Sequence, residues 1–108
     1  MNETSIKRSV LRYLNTLPNA HIYKISDRWK SGLPDIHVCL GGVCCWIELK
    51  TPTGKVSPIQ DYTMRQIREA GGRTAVCRSA GEVKQFIEEI LESTLPYTHQ
   101  EEEWTRRQ

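Results

Sequence analysis

The stretch Gly32-Leu33-Pro34-Asp35-Ile36-His37-Val38-Cys39-Leu40-Gly41-Gly42-Val43-Cys44-Cys45-Trp46-Ile47-Glu48-Leu49-Lys50 decides how this chain folds. Gly41-Gly42 stands between two apolar runs, and paired glycines supply the positive φ angles that a tight hairpin turn requires. Residues 35–40 and 43–50 are therefore predicted to be antiparallel strands. Val43-Cys44-Cys45-Trp46-Ile47 is apolar at every position, the pattern of a central strand covered on both faces. Glu48 and Lys50 lie two apart on that strand, so their side chains emerge from one face. Asp35 and Glu48 are about equally far from the turn. The hairpin thus brings Asp35 beside the strand end that carries Glu48 and Lys50.

Before the hairpin, residues 3–17 carry Ile6, Val10, Leu14 and Leu17 at helical spacing and stop at Pro18-Asn19. Residues 20–26 alternate and read as a strand, and residues 27–34 are polar and punctuated, hence a loop. After the hairpin, Thr51-Pro52-Thr53-Gly54 ends the third strand. Ser57 is a suitable N-cap with Pro58 at the first helical position. The helix that follows extends to Ala70, with Ile59, Tyr62, Gln66, Ile67 and Ala70 as its predicted inner face, and Gly71-Gly72 ends it. Residues 73–78 form a fourth strand. Residues 80–92 form a last helix with Val83, Phe86, Ile87, Ile90 and Leu91 as its stripe. The order is α-β-β-β-α-β-α, an α/β fold with a small mixed sheet flanked by helices. The helix between strands three and four permits a parallel crossover. Residues 1–93 read as one domain and residues 94–108 as a polar C-terminal tail.

The bulk properties set limits. The chain has 108 residues, 38% hydrophobic and 26% charged, the composition of an ordinary globular domain. A net charge of +2 permits a phosphate-binding surface without arguing for one. No apolar run approaches the roughly 20 residues of a membrane span, and Met1-Asn2-Glu3-Thr4-Ser5 lacks the basic and apolar regions of a secretion signal. The cytoplasm is the expected compartment. Cys39, Cys44, Cys45 and Cys77 read as thiols buried on strands. A zinc site is disfavoured, because adjacent Cys44 and Cys45 point to opposite faces and no CxxC pair exists. A disulfide framework is not expected without a secretion signal. His21, His37 and His99 show no ligand spacing.

The hairpin's charged end carries the chemistry. Two carboxylates can hold a magnesium ion, which demands oxygen donors, and the Leu49 carbonyl between Glu48 and Lys50 is available as a further ligand. A cation there would activate water and neutralise charge on a scissile phosphodiester. A lysine beside it would stabilise the extra negative charge of the transition state. The plain alternative is a Glu48–Lys50 surface pair next to an unrelated turn aspartate. The apolar strand preceding the pair weighs against it, since charge there needs a reason.

Gly32-Leu33-Pro34-Asp35, then Trp46-Ile47-Glu48-Leu49-Lys50-Thr51-Pro52-Thr53-Gly54-Lys55, then Ser57-Pro58-Ile59-Gln60, closely resembles the signature of the VRR-NUC family. This is a branch of the PD-(D/E)xK nuclease superfamily with a restriction-endonuclease-like fold. The resemblance covers about residues 3–91. It implies that Asp35 and Glu48 are ligands for Mg2+ or Mn2+ and that Lys50 is the catalytic lysine. It also implies that Gln60 helps place water or phosphate and that Glu3 completes the metal site. For Glu3 the alternative is a helix-start carboxylate favoured by the macrodipole; for Gln60, a solvated helix residue. Lys24, Arg28, Lys30 and Lys55 flank the site, where phosphate contacts are useful, and Trp29 could stack on a base. Simple solvation or core packing is the alternative for each.

Short stand-alone members of the family, often associated with phage, act as homodimers on branched DNA. The expectation is a homodimeric endonuclease that resolves four-way (Holliday) junctions, in a bacterial host cytoplasm if phage-encoded. Flap or nonspecific nicking is the nearer rival. A nucleic-acid-binding module without catalysis is a second, disfavoured by the complete Asp35, Glu48 and Lys50 set. A structural metal protein built on the cysteines is a third.

Overall fold

The structure, a computed structural model, describes residues 2–26 and 32–93. The expectations for Arg28, Trp29, Lys30, His99 and the tail fall outside those residues. The elements are α1 (Glu3–Leu14), β1 (Ala20–Lys24), β2 (Ile36–Leu40), β3 (Val43–Leu49), α2 (Pro58–Glu69), β4 (Arg73–Cys77) and α3 (Ala80–Ser93). The predicted order holds, with helix and strand ends moved by a few residues. The largest change is at α1, which stops at an Asn15 C-cap. Leu17 still packs against the core beyond the helix end.

The four strands form one sheet in the order β1-β2-β3-β4. β1, β2 and β3 are antiparallel, and β3 and β4 are parallel. Gly41 and Gly42 both have positive φ, 57° and 79°, as a two-residue type I′ turn needs. That turn sets the pairing Leu40 with Val43 and, four steps along, Ile36 with Ile47.

Strand alternation divides the side chains between two faces. Ile36, Val38, Leu40, Cys45, Ile47 and Leu49 point to one, where they are buried with Ile6, Val10 and Leu14 of α1 and Val83, Ile87 and Ile90 of α3. Each such aliphatic side chain contributes about 1.5–3 kcal/mol on leaving water. Asp35, His37, Cys39, Cys44, Trp46, Glu48 and Thr74 belong to the other face. α2 covers the β4 side of it, held partly by Arg68, whose guanidinium donates to Thr74 Oγ1 at 2.7 Å.

The inner face of α2 is not the one its hydrophobicity suggests. Thr63 and Met64 are buried and Ile67 is half-buried, whereas Ile59, Tyr62, Gln66 and Ala70 are exposed. One residue that packs against this helix is Gly32. It has φ +84°, and a Cβ there would sit 2.7 Å from the Ile59 carbonyl oxygen and 2.9 Å from Thr63 Oγ1. The backbone before Asp35 thus passes close to the first turns of α2, where both Ile59 and Thr63 meet it.

Gly71 also has positive φ, +97°, yet a Cβ there meets nothing within 4 Å. Gly71→Ala should therefore cost only backbone strain, of order 1 kcal/mol, while Gly32→Ala adds overlap and should cost about 2–3 kcal/mol. Denaturant unfolding of the two variants measures the difference. Equal losses would mean that the approach of α2 to Gly32 is not tight.

Candidate active site

The hairpin register extends one step past Ile36 and Ile47 to set Asp35 beside Glu48. Asp35 lies just before β2, where its own carbonyl accepts from the Ile25 N–H at 2.8 Å. Its side chain turns towards β3, and Oδ2 accepts the Leu49 N–H at 2.8 Å. This bond fixes the carboxylate against the strand end and leaves the other oxygen for another partner.

Glu48 is only 2% exposed. Its Oε2 is buried with no hydrogen-bond partner, a costly arrangement for a carboxyl oxygen. Its pKa is pushed up from 4.5 to about 8. Burial is the largest cause, followed by the adjoining Asp35 carboxyl through hydrogen bonding and charge. Lys50 acts in the opposite direction, and the Glu3 carboxylate adds a smaller upward push. Glu3, in the first turn of α1, thus stands near enough to be felt by Glu48. Asp35, Lys50 and Glu3 all act electrostatically on this one carboxyl.

Other expected residues stand differently. Gln60 is the third residue of α2 and forms a capping box: its Oε1 accepts the Ser57 N–H at 2.9 Å, and its N–H donates to Ser57 Oγ at 3.2 Å. The amide oxygen is engaged in the cap. The Leu49 side chain is buried in the α1–α3 core, so only its main chain reaches the carboxylates. Lys55 is exposed, in the loop before α2. Lys24 pairs with Ile36, which assigns it to the face opposite Asp35, and the structure does not bring it to the carboxylates.

Sequence reading missed Arg78. Its Nη1 donates to the carbonyls of Thr51 and Gly54, at 2.6 Å each, and its N–H donates to Glu82 Oε1 at 3.0 Å. It ties the turn between Lys50 and Lys55 to the start of α3. An arginine just past a strand offers no local signal of a partner more than twenty residues earlier.

The family model for the VRR-NUC domain matches residues 1–81. The chain belongs to the VRR-NUC family. A solved structure described as a VRR_NUC domain shares 27% sequence identity with it, at a TM-score of 0.69, over 80% of this chain and 94% of that one. A search of curated proteins gave no significant match. The α/β fold, with its four-stranded mixed sheet and three helices, is thus that of a VRR-NUC domain, a nuclease-type fold. Proteins of this family are generally nucleases that act on DNA and usually depend on a metal. Among the described residues, no helix is long and apolar enough to cross a membrane.

The residues present fit a hard divalent cation. Two carboxyls lie against each other, and one presents a buried oxygen without a partner. Oxygen donors of this kind suit magnesium or manganese.

The raised pKa has a consequence for stability. In the metal-free protein, folded Glu48 holds a proton that the unfolded chain releases near pH 4.5. Its contribution is complete below that pH and is lost as pH climbs through about 8. Melting temperatures in EDTA should therefore decline across this window for the native chain, and Glu48→Gln should flatten the decline. An unchanged slope in that variant would show that another group causes it.

Proposed function

We propose that this VRR-NUC protein is a Mg2+- or Mn2+-dependent endodeoxyribonuclease, selective for branched DNA such as four-way junctions and active as a homodimer. The supporting observation is the buried, partnerless oxygen of Glu48, with Asp35 against it and the charges of Lys50 and Glu3 acting on it. Such an array is unfavourable in an empty fold and gains its purpose from a cation and a phosphate.

Asp35, Glu48, the Leu49 carbonyl and Glu3 are the proposed cation ligands. A divalent cation held there supplies Lewis acidity and positive charge at the scissile phosphate. Asp35, anchored by the Leu49 N–H, keeps one oxygen oriented before substrate arrives. Lys50 brings its ammonium to the phosphate and stabilises the charge that develops as water attacks. Gln60 donates from its amide nitrogen to water or phosphate while its oxygen holds the cap. Lys55 contacts the DNA backbone. Arg78 is a positioning residue, holding the turn between Lys50 and Lys55. The preference for junctions rests on the family resemblance and on symmetry: one small domain carries one site, and paired cuts require two copies.

Cleavage of labelled four-way junction, flap and linear duplex with Mg2+, Mn2+ or EDTA tests this reading. Lys50→Ala and Asp35→Asn should each lower cleavage by about a hundredfold or more with melting behaviour retained, and EDTA should stop it. Full activity in either variant removes the assignment of these residues. Equal cutting of all three substrates makes the enzyme a nonspecific nickase, and light scattering that finds only monomer removes the paired cut.

Gln60 can be separated from its structural part. Gln60→Glu keeps an acceptor for the Ser57 N–H but loses the amide donor, so stability should change by less than about 0.5 kcal/mol while cleavage falls about tenfold or more. Unimpaired cleavage with an intact cap would make Gln60 a capping residue alone.

A further inference from the structure

The hairpin carries a second set of donors at its turn end, on the part of the face that α2 leaves uncovered. His37 and Cys39 project from β2 and Cys44 from β3, and Cys39 is the register partner of Cys44. The ligand atoms of these three side chains all lie within 4.8 Å of one another. Cys39 and His37 are half-buried and Cys44 is exposed, so the group is open to solvent. Cys44 and Cys45 do point to opposite faces, as expected, and Cys45 is fully buried in the core. The expectation that all four thiols are buried fails for Cys39 and Cys44. Their pairing runs across strands, where a search for CxxC spacing does not look.

We propose that His37, Cys39 and Cys44 form a binding site for a thiophilic divalent cation, zinc, distinct from the carboxylate site. The donor set is one imidazole and two sulfurs, a combination that selects zinc over magnesium or manganese. One edge of the group already matches zinc and the other must open. Zinc bond lengths imply edges of about 3.6 Å between nitrogen and sulfur and about 3.8 Å between sulfurs in a tetrahedral site. His37 Nε2 lies 3.7 Å from Cys39 Sγ, on the first edge. The two sulfurs stand 2.8 Å apart and must separate by about 1 Å, which a small χ1 rotation at exposed Cys44 allows. Binding releases the thiol protons to solvent, and the fourth position is open to water.

One further feature favours a cation, and a second separates the group from the carboxylates. Trp46 lies against the His37 ring, with centroids 4.2 Å apart and planes tilted by 44°, which restricts the imidazole before any ion binds. Cys39 and Cys44 are also four strand positions from Asp35 and Glu48, about 13 Å at the usual rise per residue. The two sites therefore do not share ligands.

The test uses the full chain, reduced and stripped of metal. Titration with Co2+ should produce sulfur-to-cobalt charge-transfer absorption that saturates at one equivalent per chain, and Zn2+ should bleach it by displacement. Cys44→Ser and His37→Ala should each weaken Co2+ binding by about tenfold or more. Asp35→Asn should retain the absorption, which separates this site from the proposed nuclease centre whatever that centre does. Absence of the band, or a band of unchanged affinity in Cys44→Ser, overturns the proposal. So does a Cys39–Cys44 disulfide, mapped by non-reducing mass spectrometry, that forms as fast with Zn2+ present as without it.

Discussion

The arrangement of this molecule depends on the register of one hairpin. Gly41 and Gly42, both at positive φ, close β2 onto β3 with Leu40 opposite Val43, and every later pairing follows. A slip of one residue in β3 would exchange its faces. Glu48 would enter the apolar layer under α1 and α3, and Ile47 and Leu49 would leave it. The same register therefore builds the core and gathers the carboxyls. The core enforces it strongly, because Ile36, Val38, Leu40, Cys45, Ile47 and Leu49 all lose contact together if it changes. A site mounted on such a strand inherits its rigidity.

That rigidity is what allows an unfavourable charge pattern to persist. Glu48 is buried beside Asp35 with one oxygen unpartnered, and its pKa stands near 8. In water the two side chains would turn away from each other. Here Asp35 is tied to the Leu49 N–H and Glu48 is carried by a strand whose neighbouring residues are locked in the core. Lys50 relieves part of the repulsion but leaves the pKa high. The protein stores an electrostatic deficit at the strand end, and a cation is the ligand that removes most of it. Perturbed carboxyls of this kind also occur in purely structural networks. What distinguishes this one is the family to which the chain belongs and the ammonium placed two residues along the same strand face.

Much of this was legible in the residues. The Gly41-Gly42 turn, the two-residue spacing of Glu48 and Lys50 and the period of α1 and α3 are local signals, and each led to the observed element. Where reading failed, the deciding contact was not local. Ile59 and Tyr62 look like the inner face of α2 by hydrophobicity. The actual face follows Gln60, Thr63, Met64 and Ile67, and Gly32 meets the helix at Ile59 and Thr63. Arg78 gave no sign of its bonds to Thr51 and Gly54, since nothing in a strand end specifies a partner across the sheet. Lys24 pairs with Ile36, which assigns it to the face opposite Asp35, a division that no local signal marks. Gln60 carries two signals at once: the family signature marks its position, and its spacing from Ser57 is that of a capping box, which commits its oxygen.

The cysteines extend the same argument along the hairpin. Cys39 and Cys44 meet for the reason that Asp35 and Glu48 meet: a two-residue turn makes the distances from it equal on both strands. One register thus produces two cross-strand pairs, oxygen at one end and sulfur at the other, with His37 and Trp46 between them on the same face. The two ends differ in what they select. Carboxylates in a buried, charge-rich setting favour small hard cations that keep water, whereas solvent-accessible thiols beside an imidazole favour borderline-soft ones. Magnesium has little affinity for the sulfur end. Zinc can bind carboxylates, but a site with two sulfurs and a nitrogen draws it away from them. A thiol site at the turn would therefore help to keep the carboxylate end for the metal that phosphodiester chemistry uses, with no residue shared between the two.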